Sequence, residues 1–146
     1  MILISHRGNV NGKISNKENA PYYVNKALNL GYHVEVDVRW YKDSFYLGHD
    51  EPIYKVEIKY LQDYRLWCHA KNLESLIEMK KYNIHCFWHQ RDDATLTSNG
   101  YIWVYPGKQP VKKSIAVLPE IYNDDISQCI GVCSDIISNY KKQKIN

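Results

Sequence analysis

Apolar residues along this chain come in short runs, each about the length of a single strand, separated by polar stretches. Ile2 to Ser5 reads as a first strand. Pro21 to Leu30 reads as a helix, with Pro at its start and Gly31 just beyond its end. His33 to Arg39 alternates strictly, so that Val34, Val36 and Val38 face one way and His33, Glu35, Asp37 and Arg39 the other. Phe45 to Gly48 is a short strand placed to return as a hairpin from the second. Leu66 to Lys71 predicts the next strand, followed by a helix over 72–82 with Asn72 as its N-cap. Further strands are expected at His85 to His89, Tyr101 to Tyr105, Ser114 to Leu118 and Ile130 to Cys133, with a helical turn between Pro119 and Gln128. The segment from Arg91 to Gly100 is polar and turn-prone and reads first as a solvated loop; the competing reading is a ligand-binding loop that uses Arg91 and Asp92 to read a head group. Strand-helix alternation at the front of the chain predicts a parallel sheet with right-handed crossovers.

There is no internal repeat, low-complexity tract or linker, so the 146 residues are expected to form one domain, with 138–146 as a basic tail. The formal charge of +3 is mild and the basic residues are scattered; no basic groove for nucleic acid is expected, and the balance suits a small anionic substrate. No apolar run exceeds a strand, so no membrane span is expected. The opening Met-Ile-Leu-Ile-Ser-His-Arg lacks the features of a secretory leader. Cys68, Cys86, Cys129 and Cys133 form no CxxC pair and read as reduced thiols, which places the chain in the cytoplasm.

The chemistry concentrates in four features: His6-Arg7-Gly8, Glu18-Asn19, Glu35-Val36-Asp37 and His49-Asp50. Glu35 and Asp37, two apart on a strand, project from one face and repel unless a positive group sits between them. A hard divalent cation suits such oxygen ligands; the competing reading is a polar strand face turned to water. His6 and His49 each follow a short apolar strand, and two imidazoles beside a carboxylate pair supply a general acid and a general base. Arg7 is suited to hold a phosphate oxygen. His85, Phe87 and His89 share one strand face; His89 is expected at the same mouth rather than in a separate zinc site. Tyr101, Trp103 and Tyr105 also share a face and read as core filling rather than substrate stacking.

Taken together, these features resemble the glycerophosphodiester phosphodiesterase family, within the phospholipase-C-like phosphodiesterase superfamily. The resemblance runs from Ile4 to Asp50, with a weaker echo of a closing strand in Ile130-Gly-Val-Cys-Ser-Asp135. It implies an α/β fold of the TIM-type (β/α) barrel class. A full (β/α)₈ barrel takes at least about 200 residues, so the expected form is a reduced barrel, lacking several outer helices and incomplete. The implied activity is metal-dependent cleavage of a glycerophosphodiester or related phospholipid head-group diester, by hydrolysis or by cyclisation. The alternative is a phosphate or head-group binding module that kept the fold without the chemistry. By the resemblance, His6 and His49 are catalytic, Arg7 and Lys71 hold the substrate phosphate, and Glu35 and Asp37 bind the metal.

The family's third metal ligand, a glutamate of an E-x-K motif, has no clear counterpart. Glu57-Ile58-Lys59 matches in letters but follows His49 too closely, whereas His69-Ala70-Lys71 ends a good strand before a helix. His69 is therefore expected as the third ligand, with Glu120 as a second candidate. The implied cofactor is a divalent cation, Mg²⁺ or Ca²⁺ by the carboxylates, Mn²⁺ or Zn²⁺ where an imidazole enters the set. The implied partner is a small phosphodiester, and the uncovered apolar edge of so short a barrel is compatible with a homodimer.

Overall fold

The computed structural model describes residues 1–144, with side chains through residue 141. The elements run β1 (Ile2–His6), α1 (Pro21–Asn29), β2 (His33–Tyr41), β3 (Ser44–Leu47), β4 (Tyr54–Val56), α2 (Ile58–Leu61), β5 (Leu66–Ala70), α3 (Leu73–Lys81), β6 (Cys86–Trp88), β7 (Ala94–Leu96), β8 (Ile102–Val104) and β9 (Ser114–Val117). A 3₁₀ turn (Pro119–Ile121), β10 (Gly131–Ser134) and a 3₁₀ segment (Ile137–Lys144) complete the chain.

The fold is mixed α/β, a single curled sheet with few helices. Seven strands are mutually parallel in the order β8-β9-β10-β1-β2-β5-β6. The β3–β4 hairpin continues antiparallel from the far half of β2, and β7 pairs antiparallel with β8. Strand β10, the last in the chain, lies beside β1, the first. No ladder joins β6 to β7. Side chains and turns bridge that seam instead, through Ser98 N–H to the Cys86 carbonyl at 2.8 Å, Cys86 N–H to Ser98 Oγ at 2.9 Å and Thr95 Oγ1 to the Trp88 carbonyl at 3.0 Å.

Strand alternation divides the apolar residues between two faces. The outer face of β2 and β5 buries Val34, Val36, Val38, Leu66 and Cys68 against Val24, Ala27 and Leu28 of α1 and Met79 of α3. The inner face of the curl is filled by Ile4, Trp67, Phe87, Trp103, Ile115, Val117 and Cys133. Trp103 is thus core filling, as its strand position suggested. Burying one such aliphatic or aromatic side chain is worth about 1.5–3 kcal/mol, and the outer face gains it only where a helix covers the sheet.

Three segments differ from the sequence reading. The polar stretch after Arg91 contains β7, whose residues Ala94, Thr95 and Leu96 gain order by pairing with Val104, Trp103 and Ile102. β4 and α2 carry too little periodicity to be read from sequence, and form where the hairpin and Leu61 pack on the outer core. The segment expected as a basic tail begins as a 3₁₀ segment, because Ile137 is fully buried with Tyr32, Ala116 and Val132, and Lys141 Nζ lies 4.4 Å from the Tyr32 ring centre. The remainder of that tail, at 145–146 and in the side chains from 142 onward, lies outside the described residues. All four cysteines are free, with Cys68, Cys86 and Cys133 buried. No helix among the described residues is long and apolar enough to cross a membrane.

Asn72 ties the layers together where β5 gives way to α3. Its Oδ1 accepts from Ser75 N–H and from Trp40 N–H, both at 3.1 Å, while its Nδ2 donates to the Trp40 carbonyl at 2.9 Å. One side chain therefore caps the helix and extends the hydrogen bonding of β2. Asn72→Ala is expected to lower the unfolding free energy by about 2 kcal/mol, more than a cap alone costs, as measured by urea denaturation. Asn72→Asp, which keeps the cap and loses the donor, should recover part of it.

Candidate active site

The C-terminal ends of β1, β2 and β5 bring the motif residues to one place. In register, His6 of β1 lies beside Glu35 of β2, and Asp37 of β2 beside His69 of β5. All four side chains belong to the inner face of the curl. Glu35 is 2% exposed and Asp37 fully buried, which overturns the alternative of a polar strand face turned to water. One nitrogen or oxygen atom from each of Glu35, Asp37 and His69, of the kind that could hold a metal ion, lies within 4.8 Å of the others. His69 Nδ1 is 3.7 Å from Glu35 Oε1 and 3.6 Å from Asp37 Oδ1. Glu35 Oε2 and Asp37 Oδ1 have no hydrogen-bond partner, a costly condition for buried carboxylate oxygens.

His6 is oriented by a residue from the other end of the chain. Its Nδ1 lies 2.7 Å from Asp135 Oδ1 just past β10, and since an ionised carboxylate only accepts, Nδ1 carries the proton. Nε2 is then left free, 3.7 Å from Glu35 Oε2. Asn9, wholly buried, joins Asp135 to Glu18 by donating from Nδ2 to both, at 2.9 and 2.8 Å. Its Oδ1 accepts from the Ile14 N–H and the Tyr23 hydroxyl.

Asn19 fills a gap in the sheet. Between the end of β1 and the start of the β3 pairing, Asp37 N–H would be unmatched; Asn19 Oδ1 accepts from it at 2.9 Å, and Asn19 Nδ2 donates to Asp37 Oδ2 at 2.9 Å. Arg7 adds charge from the turn after β1. Its Nε stands 2.9 Å from Asp37 Oδ2, off the direction of a hydrogen bond, so the contact is an ion pair, and Nη1 lies 3.6 Å from Glu18 Oε1.

A cleft of about 170 Å³ opens over this group, lined among others by His6, Arg7, Glu35, His49, His69 and Lys71. His49 stands on the loop beyond β3, with Nδ1 2.7 Å from Asp50 Oδ1 and its backbone carbonyl held by Arg39 Nη2. Gly48 precedes it at φ 155°, where an added Cβ would come 1.9 Å from the Glu51 carbonyl oxygen, so only glycine lets the loop fold back here. His89 and Tyr105 join the wall of the cleft, as expected for His89, whereas Tyr105, expected as core filling, is only half-buried and faces the cleft because it lies past the end of β8. His85, on the same strand face, is turned to another use and bonds Thr97 Oγ1 at 2.8 Å.

Of the residues singled out from sequence, His6, Arg7, Glu35, Asp37, His49, His69 and Lys71 thus meet at one site. Glu120 does not join them: its oxygens are taken by the hydroxyls of Ser134, at 2.7 Å, and Tyr140, at 3.2 Å. Glu57 sits before α2, away from the cleft. Asp135 and Asn9 had been given no role. Asp135 had a legible signal, an acid directly after a buried strand as His6 follows β1; Asn9 had none.

The electrostatics follow from crowding charge in a dry place. Burial raises the Glu35 carboxyl, but His69, His6 and Arg7 outweigh it and bring the value down to about 2. Burial, together with the charge of Glu35, raises Asp37 above the usual carboxylate range despite Arg7 and His69. For His6, burial works downward but the bond to Asp135 and the charge of Glu35 leave the imidazole raised. His89 is lowered to about 4, first by burial and then by His69, so it is neutral near pH 7.

No family model, curated protein or solved structure matches this chain.

The two carboxyls are expected to respond oppositely to pH in chelated protein. Glu35 binds its proton less tightly folded than unfolded, so its contribution is present above pH 4.5 and is lost as pH falls towards about 2. Asp37 binds its proton more tightly when folded, so its ionisation opposes folding above that raised value. At pH 7, Glu35→Gln should therefore unfold at lower urea than the native chain and Asp37→Asn at higher, both differences shrinking as the protein is acidified.

Proposed function

We propose that this protein is a metal-dependent phosphodiesterase that cleaves a small glycerophosphodiester or related head-group diester. The observation that carries the reading is the pair of buried carboxylates with unpartnered oxygens, Glu35 Oε2 and Asp37 Oδ1, set between His69 and an oriented His6. A donor set of two carboxylates and one imidazole with unmet valence fits a divalent cation. Glu35, Asp37 and His69 would hold it, and a cation bound there supplies polarisation of a phosphoryl oxygen.

The remaining residues divide the work. Asp135 fixes the tautomer of His6 and favours its protonated form, so that Nε2 is the atom that takes or gives a proton at the cleft. His49, on the loop after β3, lines the same cleft and is available as the partner acid or base. Lys71 lines it too and makes no ion pair among the described residues, which leaves its ammonium for a phosphate. Arg7 is already shared between Asp37 and Glu18, so its first task is to balance the buried acids.

The fold reading belongs with the function. We take the curled sheet as a reduced (β/α) barrel, with β7 filling the position between β6 and β8. This is supported by the pairing of β10 with β1 and by the hydrogen bonds across the β6–β7 seam. The site then occupies the C-terminal ends of the strands, the end that carries chemistry in such barrels.

A panel of glycerophosphodiesters, incubated with Mg²⁺, Ca²⁺, Mn²⁺ or Zn²⁺ and followed by phosphorus NMR, tests the reading. Cleavage that requires the cation is expected, with a cyclic product separating cyclisation from hydrolysis. His6→Ala should reduce kcat by about 10²- to 10⁴-fold. Lys71→Ala should raise KM by about tenfold or more with a smaller effect on kcat. Diester and cation bound together without turnover across the panel would instead establish a binding module.

A further inference from the structure

His69 is prepared as a nitrogen ligand before any ion arrives. Its Nε2 lies 3.1 Å from the backbone carbonyl of His89, and a carbonyl only accepts, so Nε2 carries the proton. Nδ1 is the nitrogen left facing Glu35 Oε1 and Asp37 Oδ1, at 3.7 and 3.6 Å. The ring cannot turn away easily: it stacks on Phe87 at 4.9 Å and 22°, and on His89 at 5.2 Å and 15°. A proton on the far nitrogen, donated to a carbonyl, is the support that fixes tautomer and ring orientation in metal-bound histidines.

The two carboxylates offer matching atoms. Asp37 Oδ1 faces His69 Nδ1 without a hydrogen bond, and Asp37 is completely buried. Its other oxygen is bonded by Asn19 Nδ2 and paired with Arg7, and cannot turn inward without breaking both. Glu35 is 2% exposed and has one oxygen towards His69 and the unpartnered one towards His6. The three residues thus present one imidazole nitrogen, fixed by Phe87 of β6 and by His89 just after it, and carboxylate oxygens of which one is held by Arg7 from the turn after β1 and Asn19 from the loop before α1.

We propose that this site selects a first-row transition ion such as Mn²⁺ or Zn²⁺ over Ca²⁺, with His69 Nδ1 as a direct ligand. The proposal rests on the reading of the cluster as a cation site and gives it a chemical class. Ca²⁺ takes oxygen ligands, six to eight of them in a flexible shell, and gains little from an imidazole. Mn²⁺ and Zn²⁺ accept nitrogen, and their affinity for a mixed N/O site rises along the divalent series from Mn²⁺. Two carboxylates, of which one oxygen is already tied to Asn19 and Arg7, supply few oxygens for a calcium shell but enough for a smaller ion that also takes the nitrogen.

The test compares chelator-stripped native protein with His69→Glu and His69→Gln, using Mn²⁺, Zn²⁺ and Ca²⁺ separately as probes. Isothermal titration gives the affinities, and pulsed EPR of the Mn²⁺ complex reports a directly bonded nitrogen independently of activity. Native protein is expected to bind Mn²⁺ and Zn²⁺ at least tenfold more tightly than Ca²⁺ and to show the nitrogen coupling. His69→Glu, verified as folded by circular dichroism, should lose the coupling and move the Mn²⁺/Ca²⁺ ratio at least tenfold towards Ca²⁺. His69→Gln, a near-isosteric check on folding, should lose the coupling as well. Equal or tighter Ca²⁺ binding by native protein, or absence of the nitrogen coupling, overturns the selectivity and leaves the cation site standing. Failure of native protein to bind any of the three ions overturns both.

Discussion

Two carboxylates buried two residues apart on one strand are the constraint around which this molecule is arranged. Glu35 and Asp37 repel one another in a place water does not reach, and every neighbouring element answers that cost. β1 brings His6, the turn after it Arg7, β5 brings His69, and the loop before α1 brings Asn19. None of these closes the account entirely, since an oxygen on each acid remains unmatched. Two unmatched buried acids are a cost that the neighbouring side chains leave standing, and this is the observation behind the proposed cation site.

The same constraint explains the lengths to which the local structure goes. Arg7 lies at φ 57° and Asn19 at φ 66°, both in the left-handed region, in a chain turn that points their side chains back at Asp37. Asn is tolerant of that conformation and Arg is less so, which marks Arg7 as a position where ion pairing outweighs backbone preference. Asn9 performs a parallel task one layer outward, joining Glu18 and Asp135 so that the partner of His6 is itself held. The chemistry proposed for the cleft needs this rigidity, because His6 offers Nε2 to the cleft only while its Nδ1 proton stays on Asp135.

The economy of the fold follows from where the acids sit. The outer face of β2 and β5 is covered by helices because it is continuously apolar, through Val34, Val36, Val38, Leu66 and Cys68. Around Ala116 and Val132 no α-helix among the described residues covers the sheet; the 3₁₀ segment that begins at the buried Ile137 packs there, together with Tyr32 and the partly buried Ile126 and Cys129. A short chain thus keeps full helices over the strands that carry Glu35, Asp37 and His69, and makes do with turns elsewhere.

The strands other than β4 and β7, the helices at Pro21 and Leu73, the Asn72 cap and the shared face of Glu35 and Asp37 were legible in the residues, because each depends on local periodicity or on one side chain reaching its own backbone neighbourhood. The gathering of His6, Glu35, His49 and Lys71 at one cleft, with Asp37 buried beneath it against Arg7 and His69, follows the order in which the motifs occur along the chain. What sequence did not contain was register. Whether Asp37 meets His69 or its neighbour is set by the β2–β5 pairing, and a slip of one residue would turn His69 to the other face. Nor could it tell that Glu120 would be taken up by Ser134 and Tyr140 while Asp135 went to His6, 129 residues away. β7 escaped for a related reason: three residues of mixed polarity become a strand only when Val104, Trp103 and Ile102 are already there to pair with. Local pattern determined the elements and the chemical groups they carry; long-range pairing decided which of those groups meet, because only the closed contacts of the folded sheet fix one strand's register against another.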